Sequence, residues 1–168
     1  AHRYATSGYK KVDDADALLQ ALENEDRLLA PLSTIVTMND DSGRLLCTAR
    51  VIIRTNAEHV LLPVERVFGY RAPLSDGRRL IEIARLASVA GGGLLSMQEL
   101  LIALYERVDP DSTKDIVVAC LDHSLYKKIN MAGWPVRAIG EPLFYLGSET
   151  IPIRVDLSAF ESLVSELR

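Results

Sequence analysis

Cysteine is scarce in this sequence, and long apolar runs are absent from it. The two cysteines, Cys47 and Cys120, lie in apolar, strand-like segments, so we expect buried free thiols, as in a cytoplasmic protein, rather than a disulfide. No apolar run approaches the ~20 residues that a membrane-spanning helix needs. The N-terminus AHRYATSGYKK lacks the apolar core of a secretory signal and begins without methionine, so we expect a trimmed or processed start.

Histidine is also scarce, and no pattern typical of metal chemistry is present. His2, His59 and His123 have no partners at metal-ligand spacing, so the sequence predicts no metal site. No Ser-His-Asp arrangement can be placed from residue order. The formal net charge of −4 argues against broad nucleic-acid binding. A chain of 168 residues, with 48% hydrophobic and 25% charged residues, predicts one globular domain over 1–168.

The sequence does contain a regular succession of helical and strand patterns. It begins with a helix whose leucine stripe ends at Pro31. The later segments predict, in order, a hairpin of STIVTMN and RLLCTARVIIR around DDSG, an irregular connection over 55–77, a strand over 79–90, a helix LLSMQELLIALYERV, a strand over 115–121, a helix HSLYKKINMAG, two strands within WPVRAIGEPLFYLGSETIPIRVDLS, and a terminal helix AFESLVSELR. This order predicts an α/β (α+β) domain with a mixed, mostly antiparallel central sheet flanked by helices. The strands over 79–90 and 115–121 should be parallel neighbours, splayed at one end.

Four segments, in the order in which they occur, resemble one branch of acyltransferases. DDSGRLLCTARVI is similar to that branch's hairpin and places Arg50, and LLPVERVFG is similar to a stretch that places Glu65 and Phe68. LIEIARLAS places Glu82 and Arg85, and YKKINMAGWPVRAIGEP is similar to a helix that runs into Gly-Trp and then Gly-Glu-Pro. Together these segments resemble the autoinducer (acyl-homoserine-lactone) synthases and the N-acyl amino acid synthases. The resemblance implies the acyl-CoA N-acyltransferase (GNAT) fold.

The resemblance also implies a reaction. A fatty acyl group would pass from the thioester of acyl carrier protein or coenzyme A to the amine of an amino acid or an amino-acid-derived acceptor, with no permanently bound cofactor. Two other hypotheses stay open: an acyl-binding domain of this fold without turnover, and an enzyme of another class on an α/β scaffold.

Glu82 and Arg85 place opposite charges in an otherwise apolar strand. A carboxylate in a partly apolar site can take the proton that an amine loses in acyl transfer, so Glu82 is the candidate base; alternatively it forms an ion pair with Arg50 or Arg85 that orders the sheet. A regular strand would put Arg85 on the face opposite Glu82, whereas a bulge, which the resemblance implies here, could turn both toward one cleft. Arg85 and Arg50 would then bind an acceptor carboxylate or the family's acidic cluster.

Two departures from the family pattern concern the acceptor. Ala84 stands where the family has a serine. Glu23 and Glu25 would occupy two positions of the acidic cluster, and Leu28 would occupy the third.

A glycine step follows this strand and opens a helical pattern. Glycines at a helix N-terminus let a phosphate approach free N–H groups. This segment could therefore hold the pyrophosphate of coenzyme A or the phosphate of pantetheine, or it could simply be a tight turn. The residues concerned are Ala87, Ser88, Val89, Gly91, Gly92 and Gly93.

Aromatic side chains supply the remaining candidates. Tyr126 lies where many acyltransferases of this fold have a general acid, and core packing is the alternative. Phe68 and Trp134 are candidate substrate-binding residues. Trp134, Phe144 and Tyr145 would either pack in the core or line an acyl-chain tunnel.

An acidic carrier protein would need basic residues for docking, and we expect it as the donor in preference to coenzyme A. The glycine step lacks the basic residue usual in coenzyme-A enzymes. Lys127, Lys128, Arg78, Arg79 and Arg137 are the candidates for a basic docking surface.

Overall fold

The computed structural model describes residues 15–55, 59–75, 77–88, 94–111 and 113–166. Five α-helices lie in these ranges: α1 Ala15–Leu29, α2 Pro63–Phe68, α3 Leu94–Val108, α4 His123–Met131 and α5 Leu157–Glu166. The strands are β1 Ser33–Asn39, β2 Leu45–Arg54, β3 Leu80–Ser88, β4 Ile116–Asp122, β5 Val136–Ala138, β6 Leu143–Tyr145 and β7 Ser148–Val155. Within this described part of the chain, no helix combines the length and the apolar character that crossing a membrane requires.

The seven strands form one mixed sheet in the order β1-β2-β3-β4-β7-β5, with β6 also paired to β7. Among the residues that the structure describes, only β3 and β4 pair in parallel; the other five pairings are antiparallel. The predicted fold class is therefore confirmed, as is the parallel pairing of the strand before α3 with the strand after it. A crossover through a helix is the connection that parallel neighbours require.

Both faces of the sheet are covered, because apolar residues occupy both sides of the central strands. On the face covered by α3, α4 and α5, called here the α3/α5 face, the buried cluster includes Val51, Ile81, Leu100, Leu104 and Val117. On the opposite face, covered by α1 and α2 and called here the α1/α2 face, the buried cluster comprises Leu29, Ile52, Leu62, Val64, Leu80, Ile116 and Val118. Successive residues of one strand, such as Ile116 and Val117, thus belong to different cores.

The prediction of an irregular connection over 55–77 was wrong, because this segment contains α2. Pro63 occupies the first turn, where its missing N–H costs nothing, and Gly69 ends the helix with a φ of 67°. Glu65 accepts the Leu62 N–H at 3.0 Å and forms an ion pair with buried Arg54 at 2.6 Å. A helix of six residues is too short for a helical apolar period to be recognised in the sequence.

The prediction of two strands in the segment before the terminal helix was also wrong, since the chain forms three there. Tyr145 and Ser148 pair across a two-residue turn that joins β6 to β7. Leu146 and Gly147 adopt φ values of 51° and 89° in that turn. Positive φ at both positions gives a turn whose twist matches that of the flanking strands.

Candidate active site

A bulge in β3 decides where its charged residues lie. Arg50 pairs with Ala84 and Thr48 pairs with Ala87, so a single residue of β2 lies opposite both Arg85 and Leu86. Arg85 adopts a φ of 54°, which is uncommon for a residue other than glycine. The bulge turns Arg85 to the α1/α2 face, which is also the face of Glu82, whereas Leu86 packs in the α3/α5 core. Glu82 and Arg85 therefore share one face, as the bulged alternative requires.

The two parallel strands separate beyond this point. Their pairing runs from Leu80 with Ile116 to Ile83 with Ala119 and then stops, although β3 continues to Ser88 and β4 to Asp122. A cleft lined by charged, polar and apolar side chains, called here the polar cleft, occupies the gap. Residues lining it include Glu25, Ala84, Arg85, Cys120, Asp122, Ser124, Tyr145, Ser148 and Thr150.

Glu82 lies next to this cleft but is fully buried, with a relative exposure of 0%. Its Oε2 accepts the Val64 N–H at 3.1 Å, and the Cys120 thiol donates to its Oε1 at 3.5 Å. Burial raises the pKa of Glu82 to about 8, and the nearby carboxylates of Glu25 and Glu65 add to the rise. The alternative hypothesis, in which Glu82 forms an ion pair with Arg50 or Arg85, does not hold in this structure. These two arginines bind other carboxylates.

Glu25 is the centre of an ionic network at the wall of the cleft. Its carboxylate accepts hydrogen bonds from Arg85 at 2.8 Å, from the Tyr145 hydroxyl at 2.9 Å, and from Arg66. Burial, followed by the negative charge of Glu25, raises the pKa of Tyr145. The network ties α1, α2, β3 and β6 together around the opening of the cleft.

Asp26, which was not a predicted site residue, is the second acid of this network. Arg50 forms an ion pair with Asp26, donates to its backbone oxygen at 3.0 Å and donates to the Ser33 hydroxyl at 2.9 Å. Arg50 is only 6% exposed, so it binds the acidic cluster rather than lining the cleft. The predicted Glu23 is exposed on the flank of α1, since the buried stripe of that helix passes through Leu22 and Leu29.

A cavity lined by apolar side chains lies on the α3/α5 face. Trp134 lines it, and its ring centroid lies 5.5 Å from that of Phe160. Leu86, Leu121 and Leu125 line both this cavity and the polar cleft, so the two spaces are neighbours on either side of these side chains, near the separation of β3 and β4.

The other aromatic candidates lie elsewhere. Tyr126 is partly buried in the core below α4 and stacks on His123, and it is not among the residues that line the cleft. Phe144 is 64% exposed, which does not fit a place in an acyl tunnel. Tyr145 lines the cleft instead of the cavity, and Phe68 contacts it edge-on with ring centroids 6.3 Å apart.

The predicted phosphate loop can be located only in part. Ala87 and Ser88 form the half-buried end of β3. Val89, Gly91, Gly92 and Gly93 lie outside the described residues, so the predicted role of this segment stays a prediction.

Sequence reasoning treated Cys120 only as a buried thiol and missed its contact with Glu82. In the parallel register Glu82 pairs with Val118, and Cys120 follows Val118 by two residues and so lies on the same face of the sheet as Glu82. Finding it requires the register, which the sequence alone does not supply.

Solved structures similar to this chain share its fold. FeeM, an N-acyl amino acid synthase from uncultured soil microbes, matches with a TM-score of 0.56 and 12% identity, over 94% of this chain and 93% of FeeM. MesI, a CoA-dependent acyl-homoserine lactone synthase, matches with a TM-score of 0.55 and 16% identity, over 89% of this chain and 88% of MesI. BjaI, another CoA-dependent acyl-homoserine lactone synthase, solved with SAM and isopentyl-CoA, matches with a TM-score of 0.52 and 16% identity, over 90% of this chain and 83% of BjaI.

These likenesses show the fold of the chain. The chain has the acyl-CoA N-acyltransferase fold, and its structural neighbours include acyl-homoserine lactone synthases and an N-acyl amino acid synthase. No family model matches the sequence, and no curated protein matches it.

Proposed function

We propose that this chain is an N-acyltransferase that moves a fatty acyl group from a thioester to the amine of an amino acid or an amino-acid-derived acceptor. One observation carries the proposal: an apolar cavity and a polar cleft share a wall of leucine side chains near the separation of β3 and β4, beside a buried glutamate. The acyl chain would occupy the cavity, the acceptor would occupy the cleft, and the thioester carbonyl would lie at the junction between them.

The state of Glu82 fits the role of a base. A base works best when its pKa lies near the working pH, and burial raises that of Glu82 to about 8. At pH 7 roughly one Glu82 in ten is then ionised and able to accept a proton from the attacking amine. Because the carboxylate form must be present, the reaction rate should increase with pH up to about 8.

Arg85 is the residue best placed to bind an acceptor with a carboxylate. It lines the cleft, and its contacts to Glu25 and Asp26 both use Nη2. The guanidinium carries further donors in a planar arrangement suited to a carboxylate. The N-acyl amino acid synthase among the structural neighbours makes an amino-acid acceptor a reasonable class to test first.

For the donor we propose acyl carrier protein in preference to coenzyme A, although two of the neighbours are CoA-dependent enzymes. Lys127 and Lys128 are exposed on α4, and Arg137 is exposed on β5. Arg79, by contrast, donates from Nε to the buried carboxylate of Asp115 at 2.9 Å. It therefore stabilises the fold, and we exclude it from the proposed docking surface.

The test is mass spectrometry of lipid extracts from cells that overexpress the chain, its Glu82→Gln variant, or a control Glu23→Gln variant. The intact chain and the control should produce a new N-acyl species whose mass identifies the acceptor and the acyl length. Glu82→Gln should reduce its yield strongly, since loss of a proton acceptor costs on the order of 10²–10⁴ in rate.

Two results would count against the proposal. An acyl ligand that purifies with the chain, without any N-acyl product, would favour the binding domain without turnover. Equal yields from the intact chain and from Glu82→Gln would make Glu82 a structural residue.

A further inference from the structure

The proposed base has no direct access to the cleft. Glu82 is fully buried and is not among the residues that line the cleft, although an attacking amine would have to lie there. Within the described residues its carboxylate has two hydrogen-bond partners, the backbone N–H of Val64 and the thiol of Cys120. A proton that leaves the amine must therefore cross one of these contacts to reach Glu82.

Of the two partners, only Cys120 also reaches the cleft. It is half-buried on β4, lines the cleft, and places its Sγ 3.5 Å from Glu82 Oε1. A thiol has both a proton to give and lone pairs to accept another, whereas a backbone amide N–H has only a proton to give. Glu25 also lines the cleft, but its hydrogen bonds go to Arg66, Arg85 and Tyr145.

We infer that Cys120 is a proton-relay residue that connects the polar cleft to Glu82; the inference rests on the proposed acyl transfer. As the amine attacks the thioester carbonyl, a C–N bond forms, the thioester C–S bond breaks, and the donor leaves as its thiolate. An N–H bond of the amine breaks in the same reaction, and the sulfur of Cys120 takes that proton. The original S–H bond breaks at the same time, and its proton forms the O–H bond of Glu82. The thiol ends as it began, and no oxidant or reductant takes part.

The electrostatics of the pair fit a relay better than a nucleophile. Burial and the adjacent Glu82 carboxylate raise the pKa of the Cys120 thiol, so a free thiolate is disfavoured. Transfer of both protons together avoids that thiolate. A nucleophilic attack by Cys120 on the thioester would require the thiolate.

The contact can be tested without any substrate, by titrating Glu82 through the infrared band of its protonated carboxyl group. Cys120→Val fills the position without a donor and should raise the pKa of Glu82, because the S–H bond stabilises the carboxylate. Cys120→Ser keeps a donor and should leave that pKa equal or lower. Cys47→Ala removes the other thiol, which lies in the opposite core, and should not change it. An identical Glu82 titration in all four proteins would overturn the contact.

The relay itself is tested by turnover of acyl-CoA and acyl carrier protein thioesters with a pool of the twenty amino acids and S-adenosylmethionine, followed by mass spectrometry across pH. Cys120→Val should lose on the order of 10²–10⁴ in kcat/KM, the same loss that is expected for Glu82→Gln. Cys120→Ser should retain turnover. Its rate should increase with pH over the same pH range as that of the intact chain, or over a lower one. Cys120→Ala is a second blocking variant that relieves any crowding caused by valine.

The outcomes separate the two claims. Full turnover by a folded Cys120→Val or Cys120→Ala protein, together with loss in Glu82→Gln, would overturn the relay and leave the proposed function standing. Full turnover by Glu82→Gln would overturn the role of Glu82 as base, and the relay with it.

Discussion

The raised pKa of Glu82 should make the stability of this protein depend on pH in a defined window. A glutamate has a usual pKa of 4.5, and Glu82 in the folded chain has a pKa of about 8. Between these values the folded protein holds one proton more than the unfolded chain. The free energy of unfolding therefore decreases as the pH increases, by up to about 1.4 kcal/mol per pH unit. The stabilising contribution is complete below pH 4.5 and is lost as the pH rises through about 8.

Glu82→Gln removes this titration while keeping the shape of the side chain. From pH 5.5 to 7.5 the intact chain should lose about 2–3 kcal/mol of unfolding free energy relative to the variant. The measurement is urea unfolding at several pH values, with linear extrapolation to water. Glu23→Gln is the matched control, because it makes the same chemical change at an exposed position on α1.

Parallel stability curves for the intact chain and for Glu82→Gln over this window would refute a raised pKa of Glu82. Such a result would mean that Glu82 is already ionised in the folded protein at pH 5.5. Burial would then be offset by stronger stabilisation of the carboxylate than its two hydrogen bonds suggest.

Further predictions concern the cavity, the ionic network and the donor. Ala119→Leu adds bulk to the apolar cavity and should shift the mass of the N-acyl product to shorter chains; an unchanged length would place the acyl group elsewhere. Glu25→Gln should lower the unfolding free energy by about 1.5–3 kcal/mol in urea titrations, because three donors lose a charged acceptor, whereas Glu23→Gln should stay within about 0.5 kcal/mol. Charge reversal at Lys127 and Lys128 should raise the apparent KM for acyl carrier protein, less so at high salt, and should leave that for a short acyl-pantetheine unchanged. An equal loss with both donors would reject docking at these lysines.

Local patterns in the sequence were sufficient for most of the architecture. Apolar periodicity and turn residues predicted the long helices, the first hairpin and the crossover from β3 through α3 to β4. These features depend on residues close together in the chain, whose backbone preferences and apolar spacing act locally. The same reasoning missed α2 and one of the three last strands, where six and three residues are too few to establish a period.

The composition of the site was decided by tertiary structure. Charge in an apolar strand was enough to single out Glu82 and Arg85, but their common face depends on the register shift between β2 and β3. Helix docking selected Glu25 and Asp26, rather than Glu23, to meet the arginines, and Glu25 lies 60 residues from Arg85 in the chain.

The contact between Glu82 and Cys120 likewise depends on both the local sequence and the tertiary structure. Each residue belongs to a strand that the sequence predicts, yet 38 positions separate them and neither local pattern refers to the other. The parallel register brings them onto one face, and the end of strand pairing opens the cleft beside them. The sequence by itself determined the strands and the charges that they carry, because neighbouring residues govern backbone conformation. Only the packed sheet decided which of those side chains lie within hydrogen-bonding distance and which of them reach the cleft, because both depend on register and on the docking of distant elements.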